Sequence, residues 1–232
     1  MTSQKEREDL ELFSFIFGGI IGLFLNQLII KLPKYEFSIT KYEGNSSYFI
    51  VELISAILTI ALYFKLGFSQ DFLLMIILSY VLIVLSFIDF KYKAVPDYLL
   101  LLVLVLSFFA TNFSIIESFK NAFLFSGAVV LLNFVVTFYI QNIKSRILKD
   151  ETLKEQVALG EGDIPIIAMI AVILGTTGGI FAIFLGAFFA IIPSIYSNIL
   201  KKDIQTPFIP YLVLGFFTEY FFDLETIIKA FY

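Results

Sequence analysis

Apolar residues in this chain come in long runs broken by short polar or charged stretches, with little of the alternation that marks strands. Runs near 12–31, 49–65, 71–88, 97–113, 120–140, 163–179, 180–200 and 207–222 each approach the length that crosses a bilayer as a helix. The pattern predicts an all-α polytopic membrane protein with about eight transmembrane helices. The join between the sixth and seventh runs is placed at the glycine pair Gly178 and Gly179. Nothing between the runs is long enough for a separate soluble domain, so residues 1–232 read as one integral membrane domain. The mixed-charge start, "MTSQKEREDLELF", lacks a small-residue cleavage pattern after the first run and reads as a short tail before a retained helix.

Composition narrows the chemistry. Hydrophobic residues make up 59% of the 232 positions, and there is no cysteine and no histidine. That excludes disulfides, thiol nucleophiles, imidazole bases and any Cys/His zinc site. Chemistry in such a chain falls to carboxylates. The net charge of -4 gives no sign of a nucleic-acid partner; the partner implied throughout is the lipid bilayer.

Lysine and arginine set the orientation, since positive loops stay cytoplasmic. With the loop after the first run inside, the inner segments hold 11 of the 16 basic residues: Lys31, Lys34, Lys41, Lys91, Lys93, Lys144, Arg146, Lys149, Lys154, Lys201 and Lys202. Eight spans then leave both termini outside. The same arrangement puts "DFKYKAVPD" and "ALGEGD" on the cytoplasmic side at neighbouring depths.

Those two stretches carry the candidate chemistry. Asp89 ends the third run, where a carboxylate faces the negative end of its helix dipole beside lipid; the alternative is an interfacial aspartate in water near Lys91 or Lys93. Asp97, directly after Pro96, suits a helix first turn. Asp163 fits a helix N-cap equally well, but Gly160 and Gly162 flank Glu161 and offer close approach or unusual dihedrals that a cap does not need. Two aspartates at one membrane face can hold one proton between them, one carboxyl acting as acid and its partner as base toward a water that attacks a peptide carbonyl.

"IDFKYKAVPD" from Ile88 and "GEGD" from Gly160 resemble the two aspartate motifs of the bacterial type IV prepilin peptidases, GxGD intramembrane aspartyl proteases of the peptidase A24 family. "GLFLNQLIIKLP" from Gly22, "YFIVELISA" from Tyr48 and "TPFIPYLVLG" from Thr206 are similar to further family segments in the same order. The resemblance implies a leader endopeptidase with Asp89 and Asp163 as the catalytic pair, Gly160, Gly162 and Asp97 in support, and Asn26 and Glu52 as candidates for a shell around the substrate or a methyl donor. It implies type IV prepilin or pseudopilin substrates, cleaved at the cytoplasmic face of the bacterial inner membrane.

Two departures stand out. Pro165 replaces the lysine common two residues after the second aspartate. The short cytoplasmic loop at 34–47, "KYEFSITKYEGNSS", stands where many members carry a cysteine-bearing zinc domain linked to N-methylation of the product. The expectation is therefore cleavage with little or no methylation: no zinc, no cofactor, and S-adenosylmethionine only if methylation is retained. Two other readings stay open on residues alone, a proton-coupled carrier using paired carboxylates and a catalytically silent assembly factor. Gly18 with Gly22, and Gly186 with Ala190, read as small-residue pairs for close helix packing.

Overall fold

The computed structural model describes residues 4–36, 49–148, 151–155, 159–199, 206–224 and 226–227. Among the described residues all regular structure is helical. The helices are α1 (Gln4–Glu36), α2 (Phe49–Leu66), α3 (Gln70–Tyr92), α4 (Asp97–Ala110), α5 (Ile115–Phe138), the single turn α6 (Ser145–Leu148), α7 (Asp163–Ile199) and α8 (Ile209–Phe222). A π-helical stretch, Tyr139–Lys144, joins α5 to α6, and a 3₁₀ turn follows at Glu151–Glu155. Five segments among the described residues are long and apolar enough to cross a membrane: Asp9–Pro33, Phe49–Leu66, Gln70–Tyr92, Ile115–Leu148 and Asp163–Ile195. The shorter apolar helices are α4 and α8. The helix α1 runs three residues past the start expected for the first loop, and residues 37–48 lie outside the described residues.

Local sequence explains where these helices begin and end. Ser69 caps α3 by accepting the Phe72 N–H at 3.1 Å, and Ser114 caps α5 through the Glu117 N–H at 3.3 Å. Within the apolar interior, where backbone and hydroxyl groups find no water, Ser55 and Ser79 donate to the carbonyls of Val51 and Met75 one turn back. Lipid offers little hydrophobic drive between helices, so close approach falls to small residues. Gly22 of α1 lies on the backbone of α2, and a Cβ there would stand 2.5 Å from Glu52 Cα. Gly18 packs the same way on Ser55 and Thr59. Gly186 finds its small partner in Gly215 of α8, and Ala190 faces a cleft described below.

The break inside α7 is sharper than the sequence suggests. Gly175 has φ 73° and ψ -168°, a conformation open essentially to glycine alone, and it splits α7 into arms 163–174 and 176–199. The second arm folds back along the first. A Cβ on Gly179 would sit 3.5 Å from Ala171 Cα, whereas a straight helix separates residues eight apart by about 12 Å. The reversal thus falls at Gly175, ahead of the Gly178–Gly179 pair, because Gly175 adopts positive φ and neither glycine of the pair does. Polar groups released at the turn find partners: Thr111 Oγ1 donates to the Val172 carbonyl at 2.7 Å, and Thr176 Oγ1 to Asn121 Oδ1 at 3.1 Å.

Replacing Gly175 with alanine therefore strains the backbone and drives a Cβ to 2.8 Å from Phe113 Cζ. Thermal unfolding in detergent should show a loss of about 1–3 kcal/mol. Gly127→Ala, at a helical position with open space around it, serves as the control and should hold or raise stability.

The core is built on α3 and the first arm of α7. Leu78, Leu82, Leu85 and Ile88 of α3 are fully buried, as are Ile166, Met169, Ile170 and Val172. The helix α5 is the opposite case, with Phe123, Leu131, Leu132 and Phe134 all exposed on a surface suited to lipid.

Candidate active site

The helix α3 places Asp89 one turn before its end, where Lys93 closes the helix in a left-handed conformation with φ 54° and returns its N–H to the Asp89 carbonyl at 2.8 Å. Its own dipole disfavours a carboxylate there. The packing of α8 supplies the compensation: Asp89 Oδ2 accepts the Ile209 N–H at 3.1 Å, so the carboxylate lies at the positive N-terminal end of α8.

Asp163 opens α7 yet does not cap it. Pro165 has no N–H to offer an N-cap, and the side chain turns back, its Oδ2 accepting the Gly160 N–H at 3.2 Å. The loop closes through Asp163 N–H to the Gly160 carbonyl, 3.2 Å, and Ile164 N–H to the Glu161 carbonyl, 3.3 Å. Neither loop glycine has positive φ; their use is room. A Cβ on Gly162 would meet Val95 Cγ2 at 3.0 Å, and one on Gly160 would stand 3.3 Å from Asp163 Oδ2. The missing side chains let the 160–163 loop lie against the α3–α4 connection.

Asp89 and Asp163, 74 positions apart in sequence, line one cleft of about 1070 Å³. Both are largely buried, at 8% and 7% exposure, and near enough for the charge of Asp89 to act on Asp163. The wall includes Lys93, Val95, Asp97, Gly160, Glu161 and Gly162 on one side, Ala187, Ala190 and Ser194 from the second arm of α7, and Thr206 to Ile209 leading into α8. Ile140, in the π-helical stretch, overhangs it.

The matching description is that of the type IV leader peptidases, whose family profile covers residues 76–195, just over half of the chain, with both aspartates inside. This chain belongs to that family. No curated protein and no solved structure matches it. Family membership makes it a membrane-embedded aspartic endopeptidase of the prepilin peptidase type, acting on a protein substrate, and displaces the carrier reading. The match does not reach α1, α2 or α8, so the similar segments at Gly22, Tyr48 and Thr206 fall outside it.

The other residues singled out in the sequence divide. Asp97 is exposed and lines the cleft with Glu161. Asn26, buried on α1, and Glu52, half-buried in the first turn of α2, are not among the lining residues; they belong to the packed α1–α2 pair. Lys93 lies within "IDFKYKAVPD" and Thr206 and Ile209 within "TPFIPYLVLG", but neither segment marks them as cleft residues, and Ser194 lies in no motif, because cleft walls contributed by backbone and small hydroxyls leave no periodic signal. Lys93 lines the cleft, and Pro165 stands where the resemblance leads one to expect a lysine.

Proposed function

We propose that Asp89 and Asp163 are the catalytic pair of an intramembrane endopeptidase that removes the positively charged leader from type IV prepilins or pseudopilins at the cytoplasmic face of a bacterial inner membrane. The observation that carries this reading is the opening of both carboxylates, each held by a backbone N–H, onto one cleft large enough for an extended peptide segment. One carboxyl holds a proton and donates it to the scissile carbonyl oxygen. Its ionised partner takes a proton from a water, whose oxygen attacks the carbonyl carbon. Collapse of the tetrahedral diol breaks the C–N bond: one diol hydroxyl returns its proton to the first carboxyl, and the proton taken from water passes to the leaving amine. Asp97 and Glu161 on the wall suit the basic leader.

We count eight crossings, with the two arms of α7 counted separately and both termini external. The helices α4 and α8, of 14 residues each, and the first arm of α7 all begin at the cleft and are only about 18–21 Å long against a hydrocarbon core of about 30 Å. Their shortness sets the cleft floor within the bilayer. The basic residues Lys144 and Arg146 lie at the cleft end of α5, and Lys120 lies near its other end. Single cysteines at the exposed positions Lys144 and Arg146 should react with an impermeant reagent only from inside, and one at Lys120 only from outside. The reverse pattern would overturn the orientation. Ser145 is buried and is a poor probe.

Residues 1–232 act in this reading as one domain. Methylation is expected to be lost: with no cysteine or histidine, the chain has no donors for a zinc-stabilised loop at 34–47. Co-expression with prepilins of the source genome, in a host lacking its own prepilin peptidase, tests the substrate class. Leader removal from a prepilin supports it; retention of every leader contradicts it.

A further inference from the structure

Resting on that reading of the pair, we propose that Asn133 of α5 is a positioning residue that pins the Asp163 loop in its working geometry. Asn133 is a half-buried amide in a stretch of α5 that otherwise offers lipid Leu131, Leu132, Phe134 and Val135, a place where a polar side chain is costly unless it is used. Its Oδ1 accepts the Leu159 N–H at 3.0 Å and the Thr137 hydroxyl at 3.2 Å. The Leu159 N–H can only donate, which fixes the amide with its oxygen toward the loop, and the Thr137 hydroxyl donates to the same oxygen.

Leu159 is the residue before Gly160, and the Gly160 N–H holds Asp163 Oδ2. The line Thr137, Asn133, Leu159, Gly160, Asp163 therefore runs from a helix into the carboxylate. A loop with glycine at two of its positions has few side chains to anchor it and gains its definition from outside. The close approach of Gly162 to Val95 and the packing of the Leu159 side chain on the core anchor it in part, and Asn133 adds a polar anchor to its backbone. Loss of the polar anchor frees the loop to shift, and small displacements of a reacting group reduce turnover steeply.

The test uses the purified full-length chain in detergent with a prepilin substrate, measuring kcat and KM separately together with thermal unfolding. Asn133→Leu keeps the branched outline of the side chain and removes the acceptor; kcat should fall roughly tenfold to hundredfold with KM little changed. Thr137→Val removes only the hydroxyl that orients the amide; it should lower kcat severalfold alone and add nothing in the Asn133→Leu background. Wild-type kcat in Asn133→Leu would overturn the proposal, as would equal additive losses tracking stability alone. If Asn133→Leu does not fold, Thr137→Val decides, and an unchanged kcat in that variant rejects the role. Asp163→Asn run alongside separates the two readings: activity surviving in it counts against the catalytic pair, whereas its loss with Asn133→Leu unaffected counts against Asn133 only.

Discussion

Asp89→Asn and Asp163→Asn each lower leader cleavage by at least about 10³-fold, because each keeps the size of the side chain while removing the group that gives or takes the proton. The double variant should be no worse than either single one, the outcome expected of two carboxyls proposed to work as a unit. Stability should change little in comparison: an asparagine oxygen still accepts the Ile209 or Gly160 N–H that holds each side chain now. Asp97→Asn, at an exposed wall position, retains activity within about tenfold. The rate should also fall on both sides of a pH optimum. On the acid side both carboxyls are protonated and no base remains; on the alkaline side both are ionised and no acid remains, so the two apparent limits belong to the pair. Near-normal cleavage by Asp163→Asn would return that residue to the role of a loop-turning side chain.

The mature pilin made by this enzyme alone should carry an unmethylated N-terminus. Methyl transfer needs a site for the donor and for the new amine, and the family resemblance links that function to a cysteine-bearing cytoplasmic domain. Residues 37–47, which follow α1, are too few for a core of their own and include no cysteine or histidine for a zinc site. Cleavage is independent of this, since the cleft is built from α3, α4, α7 and α8. Mass spectrometry of the first peptide, after co-expression in a host without a prepilin peptidase, should find the free amine. A fully methylated first residue would show that the helices suffice.

Long apolar runs and two short acidic motifs made the helical membrane architecture and the two aspartates legible from residues alone, because length and composition are what lipid demands of a spanning helix. The helix boundaries were less so. The sequence puts the sixth–seventh join on the Gly178–Gly179 pair, yet the chain turns at Gly175, where Phe113 packs and positive φ is required; two adjacent glycines advertise freedom without saying which position uses it. Pro165 is tolerated in a first helical turn, so it leaves the cap reading of Asp163 open in the sequence; in the fold the Asp163 side chain turns back to the Gly160 N–H, a loop contact that no local pattern announces. The support of Asp89 by the Ile209 amide was beyond reach, since a backbone group 120 positions away has no sequence signature. Asn133 left a trace, a lone amide amid leucine, phenylalanine and valine, that motif reading passes over.

The most direct test of the account is cleavage by the purified chain itself. Incubated in detergent with a prepilin whose leader ends in glycine, the protein should yield two fragments whose intact masses sum to the substrate plus one water, with the break after that glycine. Substrate left intact, under conditions in which another type IV leader peptidase cuts it, would contradict the assignment and leave a membrane protein that keeps the motifs without the chemistry.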